Sequence, residues 1–593
     1  MLEFWVHPSL ILILGALLLR LVPRKLRSAY LLIVPLIVFV RVCTMQNGVF
    51  GRVDFLDWSL TFGRVDALSS VFGHVMGLIT VIGTIYGLHI KEPGQHVAAW
   101  LYAAGALGAI YAGDMLTLFA FWELMAFSSV FLVWSRGTPE ALAAGYRYLL
   151  VHAAGGSCLL AGIVMVGQLS RGDYNFGLFD LNNMSIGSWL VLIGFALNAA
   201  VPPLHAWLPD AYAAGTVTGS VFMSAITTKT AVYALCRGFA GLPVLVPLGV
   251  IMALYGVVYA VLENDSRKLL AYHVVSQVGF MVTGVGLGSE LAINGACAHA
   301  FAHIIYKGLL FMGCGAVLHV TGQSRFTELG GLWQKMPLAL VFTVIGGLSI
   351  SAFPLFSGFV SKSMIVAASY ELHRPWVGML LMLASVGTFL HTGLKVPYFI
   401  WFGKNNCKPE TWARAKEAPW NMNVAMAIAS ALCIFIGCYT PYLYGMLPFP
   451  VHFRPYTPYH ISETLQLLLF TGLGFFVFVK KLAPEPTISL DTDWLYRRGW
   501  NLFVRVAQQH VQRFDNWLGG LYRVAGLVPV MTAAVFASLF DNRVVDGLVD
   551  GFATSVRSIG ARFRTIQRGA VQESLTFAFA VVLLLLVAVA LLL

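Results

Sequence analysis

The stretch FAFWELMAFSSVFLVW, residues 119–134, places one carboxylate, Glu123, inside a run otherwise apolar enough to dissolve in lipid. An ionisable group at the centre of a bilayer costs at least about 2.5 kcal/mol on insertion scales, so one is kept there only where something uses or meets it. Runs of this texture recur along the chain, near 9–22, 29–45, 68–90, 97–113, 115–135, 142–168, 187–208, 217–238, 243–262, 270–287, 291–318, 338–365, 376–402, 421–447, 462–481 and 572–593. They predict an all-α polytopic membrane protein with roughly 14 to 16 transmembrane helices. Composition agrees: the 593 residues are 58% hydrophobic and 11% charged, a balance no soluble globular protein of this size tolerates. The first apolar run lacks a preceding basic region and a small-residue cleavage site, so it is expected to be retained.

The formal charge of +11 does not point to nucleic acid, because the basic residues lie in loops between spans and form no single face. RKLRS (24–28), SRKLL (266–270), GKNNCKPETWARAK (403–416) and VKK (479–481) fall on alternate loops, whereas SRGDYNFGLFDLNN (170–183) carries few uncompensated positives. The positive-inside rule then puts the N-terminus outside and the basic loops in the cytoplasm, for a protein of the inner (cytoplasmic) membrane. The eight cysteines are scattered without a CxxC pair. No cofactor is expected: zinc, iron–sulfur, heme and dinucleotide motifs are all missing from the sequence. No redox or hydrolytic site is read in this chain.

Two stretches look like versions of one element. NAAVPPLHAWLPDAY (198–212) and SISAFPLFSGFVSKS (349–363) each put Pro-Leu inside a hydrophobic span, and each precedes a span with a central lysine, Lys229 in TTKTAVYAL and Lys395 in TGLKVPYFI. Paired, proline-interrupted helices are the cue for a repeat with its site near the midplane. Between the last two spans, residues 493–569 repeat arginines and aromatics at helical spacing, which predicts amphipathic helices along a cytoplasmic interface. The apolar segment 527–540 within them is too short to span comfortably.

The ionisable residues inside predicted spans form a series: Glu123, His152, Lys229, His299, His303, Lys307, Lys362 and Lys395, with His205 and His391 near span ends. In AHAFAHIIYKGLLFMGCG (298–315), His299, His303 and Lys307 are four apart and share one helical stripe. The HxxxH pair has no carboxylate or cysteine ligand at metal spacing. A hydrated proton path suits the stripe better, because histidine titrates near neutrality and a buried lysine can give up its proton. An acid and a lysine in a low-dielectric interior bias each other's protonation, so such a line can pass a charge change along the membrane, with Glu123 as a switch at one end.

On these residues the chain resembles the antiporter-like subunits shared by respiratory complex I, membrane-bound hydrogenases and Mrp-type Na+/H+ antiporters. The carriers are GDMLTLFAFWELMAFSSVFLVW with Glu123, VPPLHAWLPDAY, TTKTAVYAL with Lys229, NDSRKLLAYHVVSQVGFM, AHAFAHIIYKGLLFMGCG with Lys307, and FPLFSGFVSK with Lys362. The resemblance implies two inverted five-helix repeats, each with a broken helix, over 96–240 and 241–403. Around them it places N-terminal helices in 1–95, further helices in 404–482, an amphipathic or lateral helix region in 483–571 on the cytoplasmic side, and an anchor in 572–593. It implies an H+-translocating subunit, with exchange for Na+ left open, in the bilayer beside other membrane subunits, and with a soluble redox or zinc-bearing partner left open. The tail, with DTDWLYRRG, DGLVDG and RGAVQESLTFAFAVVLLLL, is similar to that of the largest distal complex I antiporter subunit. One position departs: where the family carries a lysine five residues before Pro203-Leu204, this chain has Asn198, which can bond water but cannot hold or release a proton. The rival reading is an energy-coupling subunit of an inorganic-carbon uptake system with a zinc-bearing partner.

Overall fold

Hydrocarbon offers no partner to a bare N–H or C=O, so each apolar run closes its own backbone hydrogen bonds as a helix. The structure, a computed structural model, describes residues 5–55, 58–170, 172–486, 490–566 and 569–592. Among these residues eleven helices are long and apolar enough to cross a membrane, and three shorter apolar ones, Pro8–Leu18, Ile186–Asn198 and Pro337–Ile350, accompany them. The chain is a multi-pass, all-α membrane protein. Fewer helices reach full length than the sequence predicts, in part because three predicted spans are each split in two. Ile186–Asn198 is followed by Trp207–Ala214, Val217–Ala225 by Thr227–Gly238, and Pro337–Ile350 by Ser357–Glu371. The middle break, at Ile226, has no proline to announce it; there the Tyr102 hydroxyl accepts from the backbone N–H of Thr227 at 3.0 Å.

The two proline-containing breaks share one geometry. Ala199, Ala200 and Val201 donate their N–H groups to the carbonyls of Phe195, Leu197 and Ala196. Ser351, Ala352 and Phe353 donate to Gly347, Ser349 and Leu348, the same three bonds in the same order. Ala200 and Ala352 both take a left-handed backbone, φ 60° and 59°. That conformation costs an L-residue roughly 1–2 kcal/mol, so it persists only where the surroundings impose it.

The chain divides into two compact units, Met1–Asp493 and Trp494–Leu593. In the first, Ser266–Leu287 and Glu290–Thr321 form the centre and are almost wholly buried. Helices at its edge turn their apolar side chains outward, as Phe470, Leu473 and Phe476 do on Pro458–Phe478. Leu245–Leu262 packs on Ser266–Leu287 through small residues. A Cβ on Gly279 would stand 2.5 Å from the Gly249 carbonyl oxygen and 2.6 Å from the Ala253 nitrogen, and one on Gly256 2.5 Å from the Ser276 nitrogen. Such close backbone approach is how membrane helices gain contact energy when lipid is as apolar as leucine.

Not every element is helical. Gly48–Phe55 and Trp58–Val65 pair as an antiparallel hairpin, in register from Gly48↔Val65 to Phe55↔Trp58, in a linker that the hydropathy reading leaves unassigned. Alternate residues of its second strand, Thr61, Gly63 and Val65, face inward. The Thr61 N–H donates at 2.7 Å to Asp114, whose carboxylate also caps the helix Met115–Trp134 by accepting from the Thr117 N–H at 2.7 Å.

In the second unit the expected set of amphipathic helices is one helix, Arg497–Thr565, of 69 residues. The apolar segment 527–540 is its middle and not an element of its own. Wider, π-type turns at Ala507–Val511, Arg523–Leu527 and Asp541–Val545 recur along it. Each adds a residue to a turn of the helix. Val571–Leu592 follows as a separate apolar helix.

Gly279→Leu is expected to force Leu245–Leu262 and Ser266–Leu287 apart and to destabilise the fold by about 1–3 kcal/mol, read as a lower thermal midpoint in detergent. Gly474→Ala, with nothing within 4 Å of the added carbon, should leave the midpoint unchanged.

Candidate functional site

The central helices carry polar groups that hydrocarbon cannot satisfy, and they satisfy one another. His391 Nδ1 lies 2.7 Å from the Thr392 hydroxyl, and that hydroxyl lies 2.8 Å from His273 Nδ1. His273 Nε2 is 3.1 Å from the Thr388 hydroxyl, to which Gln277 Nε2 donates at 3.2 Å. Gln277 Oε1 is 3.2 Å from His299 Nε2, and His299 Nδ1 is 3.3 Å from the Ser361 hydroxyl. Seven side chains from four stretches of chain thus form one hydrogen-bonded line, every one of them buried.

The line has a polarity. The Thr388 hydroxyl donates to the Ala384 carbonyl at 3.0 Å, so it can only accept from His273 and Gln277. This assigns the proton of His273 to Nε2 and leaves Nδ1 to accept from Thr392. A proton crossing Thr388 requires the hydroxyl to turn away from Ala384 first. The wide turn Phe389–Lys395, which carries His391 and Thr392, frees backbone geometry next to that hydroxyl.

Beside the line stand groups with no hydrogen-bond partner among the described residues. Both ring nitrogens of His303 and the ammonium groups of Lys307 and Lys362 are buried without a hydrogen bond. Lys362 Nζ sits 4.6 Å over the Phe280 ring, against which His299 also packs, with ring centroids 5.9 Å apart. Lys362 also lines a cavity of about 580 Å³ with Glu371, Arg454, His460 and Glu463. At the other end, Lys395 Nζ donates to the carbonyls of Val261 at 2.6 Å and Glu263 at 3.0 Å.

The first half is built differently. Glu123 is half-buried, and Gly156 leaves it room: a Cβ there would stand 2.1 Å from Glu123 Oε1. That oxygen has no hydrogen bond, and no ion pair joins Glu123 to a lysine among the described residues. His152 Nδ1 lies 2.9 Å from the Tyr148 carbonyl, and its ring stacks on Tyr148 at 3.9 Å. Asn198 is buried with its amide nitrogen unpartnered. Lys229 Nζ donates to the Ser224 carbonyl at 2.6 Å and to the Thr228 hydroxyl at 3.1 Å, across the break at Ile226.

The residues singled out by sequence are therefore not one contiguous set. His299, His303, Lys307 and Lys362 share a neighbourhood, Lys395 closes its far end, and Glu123, His152, Asn198 and Lys229 lie in the first half, joined to the line by no hydrogen bond among the described residues. The sequence reading misses His273, Gln277, Thr388, Thr392 and Ser361, the members that join the line. One signal was present: His273 and Gln277 are four apart in an apolar helix, the spacing that singles out His299 and His303.

Comparison with known proteins accords with this architecture. The sequence profile described as NADH:quinone oxidoreductase/Mrp antiporter, TM matches residues 112–390. Hydrogenase-4 component B of Escherichia coli is 30% identical over 456 residues, 68% of this chain and 66% of that protein. NADH-quinone oxidoreductase subunit N of Desulforudis audaxviator is 32% identical over 342 residues, 54% of this chain and 68% of that protein. The fold is shared with a chain of the membrane-bound sulfane sulfur reductase, an archaeal respiratory membrane complex, with a TM-score of 0.69 at 21% identity, covering 98% of this chain and 99% of that one. With the broken helices and the buried polar centre in place, the chain belongs to the family of antiporter-like membrane subunits common to NADH:quinone oxidoreductases and Mrp antiporters.

Proposed function

We propose that this chain is the proton-translocating membrane subunit of a multisubunit complex, and that the second half carries the path. The hydrogen-bonded line from His391 to Ser361 is the observation that carries this reading. An ammonium or imidazolium buried in a low-dielectric interior without a protein hydrogen bond is costly. Lys307, Lys362 and His303 are therefore poised between holding a proton and passing it to the line beside them.

The direction follows from charge. The basic loop 403–416 marks the cytoplasmic side, and Lys395 lies two turns before it. A proton enters near Lys395, moves along His391 and His273, crosses to His299 by water beside the Gln277 amide, which orients Thr388 and His299 but takes no proton, and leaves by Lys362 into the cavity lined by Glu371 and Glu463. In the first half, Glu123 is a switch on a half-buried face, where a neighbouring membrane subunit can supply the countercharge that Asn198 does not. The repeats span 96–240 and 241–403, the N-terminus faces outward, and the 483–571 region runs on the cytoplasmic side against sibling subunits. Any redox chemistry that drives transport belongs to those partners.

In the assembled complex reconstituted in vesicles, Lys307→Met should abolish proton uptake followed by a pH-sensitive dye. Thr388→Val keeps the shape and removes the hydroxyl that joins His273 to Gln277. It should slow transport about tenfold or more, equal to roughly 1.4 kcal/mol on the barrier, with subunit composition unchanged. Normal rates in both variants would refute the path. Glu123→Gln should uncouple transport while the complex still assembles, and a fully active variant would remove the switch from the mechanism.

A further inference from the structure

Asp491 lies in the connection ahead of the long helix, yet its side chain is only 3% exposed. Its carboxylate accepts from the Tyr272 hydroxyl at 2.6 Å, from the Thr492 N–H at 2.5 Å, and from the Tyr255 hydroxyl. Next to it the Leu490 carbonyl accepts from the Tyr259 hydroxyl at 2.9 Å. A buried anion held this tightly by neutral donors keeps its charge and projects it on whatever else faces it.

What faces it is His205, in the break of the first proline-containing helix. His205 is wholly buried, and its Nε2 lies 3.3 Å from Asp491 Oδ1, out of line for a hydrogen bond. Its Nδ1 has no partner either. The Tyr255 ring holds the imidazole edge-on, with centroids 4.6 Å apart. Tyr272, which binds the same carboxylate, immediately precedes His273 of the second-half line. One carboxylate from the far end of the chain thus joins the broken helix of the first half to the central helix of the second.

We propose that Asp491 is a positioning residue for His205, which binds and releases a proton in the first half, where Asn198 cannot. The carboxylate orients the ring by charge, through the 3.3 Å contact at Nε2, and leaves Nδ1 to accept a proton from water and return it to water; Asp491 takes none. The geometry is that of a carboxylate orienting an imidazole and stabilising its cation. This inference rests on the transport reading above, and the Lys307→Met control tests that reading separately.

The test uses the assembled complex in vesicles. His205→Gln and Asp491→Asn should each slow proton transport about fivefold, and the double variant should be no slower than either, as for residues acting as a unit. Asp491→Glu should restore transport to within about twofold of the parent, since it keeps the charge. Full transport in Asp491→Asn, or an Asp491→Glu variant as slow as Asp491→Asn, overturns the pairing and leaves Asp491 a neutral tether. If Asp491→Asn fails to assemble on a native gel, His205→Gln decides alone, and an unchanged rate there overturns the proposal. Loss in Lys307→Met with full transport in His205→Gln removes the dyad but keeps the path; full transport in Lys307→Met removes the path itself.

Discussion

Lipid cannot hydrogen-bond, and that one constraint arranges the rest of this molecule. A polar side chain on a membrane helix must find its partner inside the protein or stay unpaired at a cost of several kcal/mol. Ser266–Leu287 carries His273, Ser276 and Gln277, and Glu290–Thr321 carries His299, His303 and Lys307, so both helices have to be wrapped on all sides. Among the described helices long enough to cross a membrane they are the most buried, and the helices around them are amphipathic only in the sense that their outer faces meet lipid.

Wrapping two polar helices this closely depends on small residues and on broken ones. Gly249, Gly256 and Gly279 remove the side chains that would hold Leu245–Leu262 away, which places Tyr255 and Tyr272 on the same carboxylate. The breaks release backbone groups in the middle of the membrane, where they serve as ligands: the Ser224 carbonyl receives Lys229 across the Ile226 break. The wide turn at Phe389–Lys395 does the same by another route, swinging His391 and Thr392 into reach of His273 without ending its helix.

The two halves share backbone geometry at their breaks but differ in polar wiring. The second half holds a joined line of neutral donors and acceptors with unpaired cations beside it. In the first half Glu123, His152, Asn198 and Lys229 form no such line, each resting on a local group or lacking a hydrogen-bond partner at one polar atom. Asn198, a neutral amide, cannot act as an ammonium would toward a carboxylate such as Glu123. In this chain the carboxylate that meets the first broken helix comes from Asp491, near the other end of the sequence, and it arrives at His205.

Hydrophobicity and helical period are sums over neighbouring residues, so the sequence by itself determined the membrane class, most spans, the proline-marked breaks and the cost of burying Glu123, Lys229, Lys307, Lys362 and Lys395. Cost is local; partnership is not. Thr388, Thr392, Gln277 and Ser361 look ordinary in apolar helices, and Asp491 looks like a loop residue, because nothing near them in the chain says what they touch. Only the tertiary structure decided that His273 meets Thr392, that His205 meets Asp491, and that Glu123 pairs with no lysine among the described residues, since hydrogen bonds act over about 3 Å between helices whose approach is set by packing. The break at Ile226 and the hairpin at Gly48–Val65 were hidden for the same reason: each is held by a contact, with Tyr102 or with Asp114, that the local pattern does not contain.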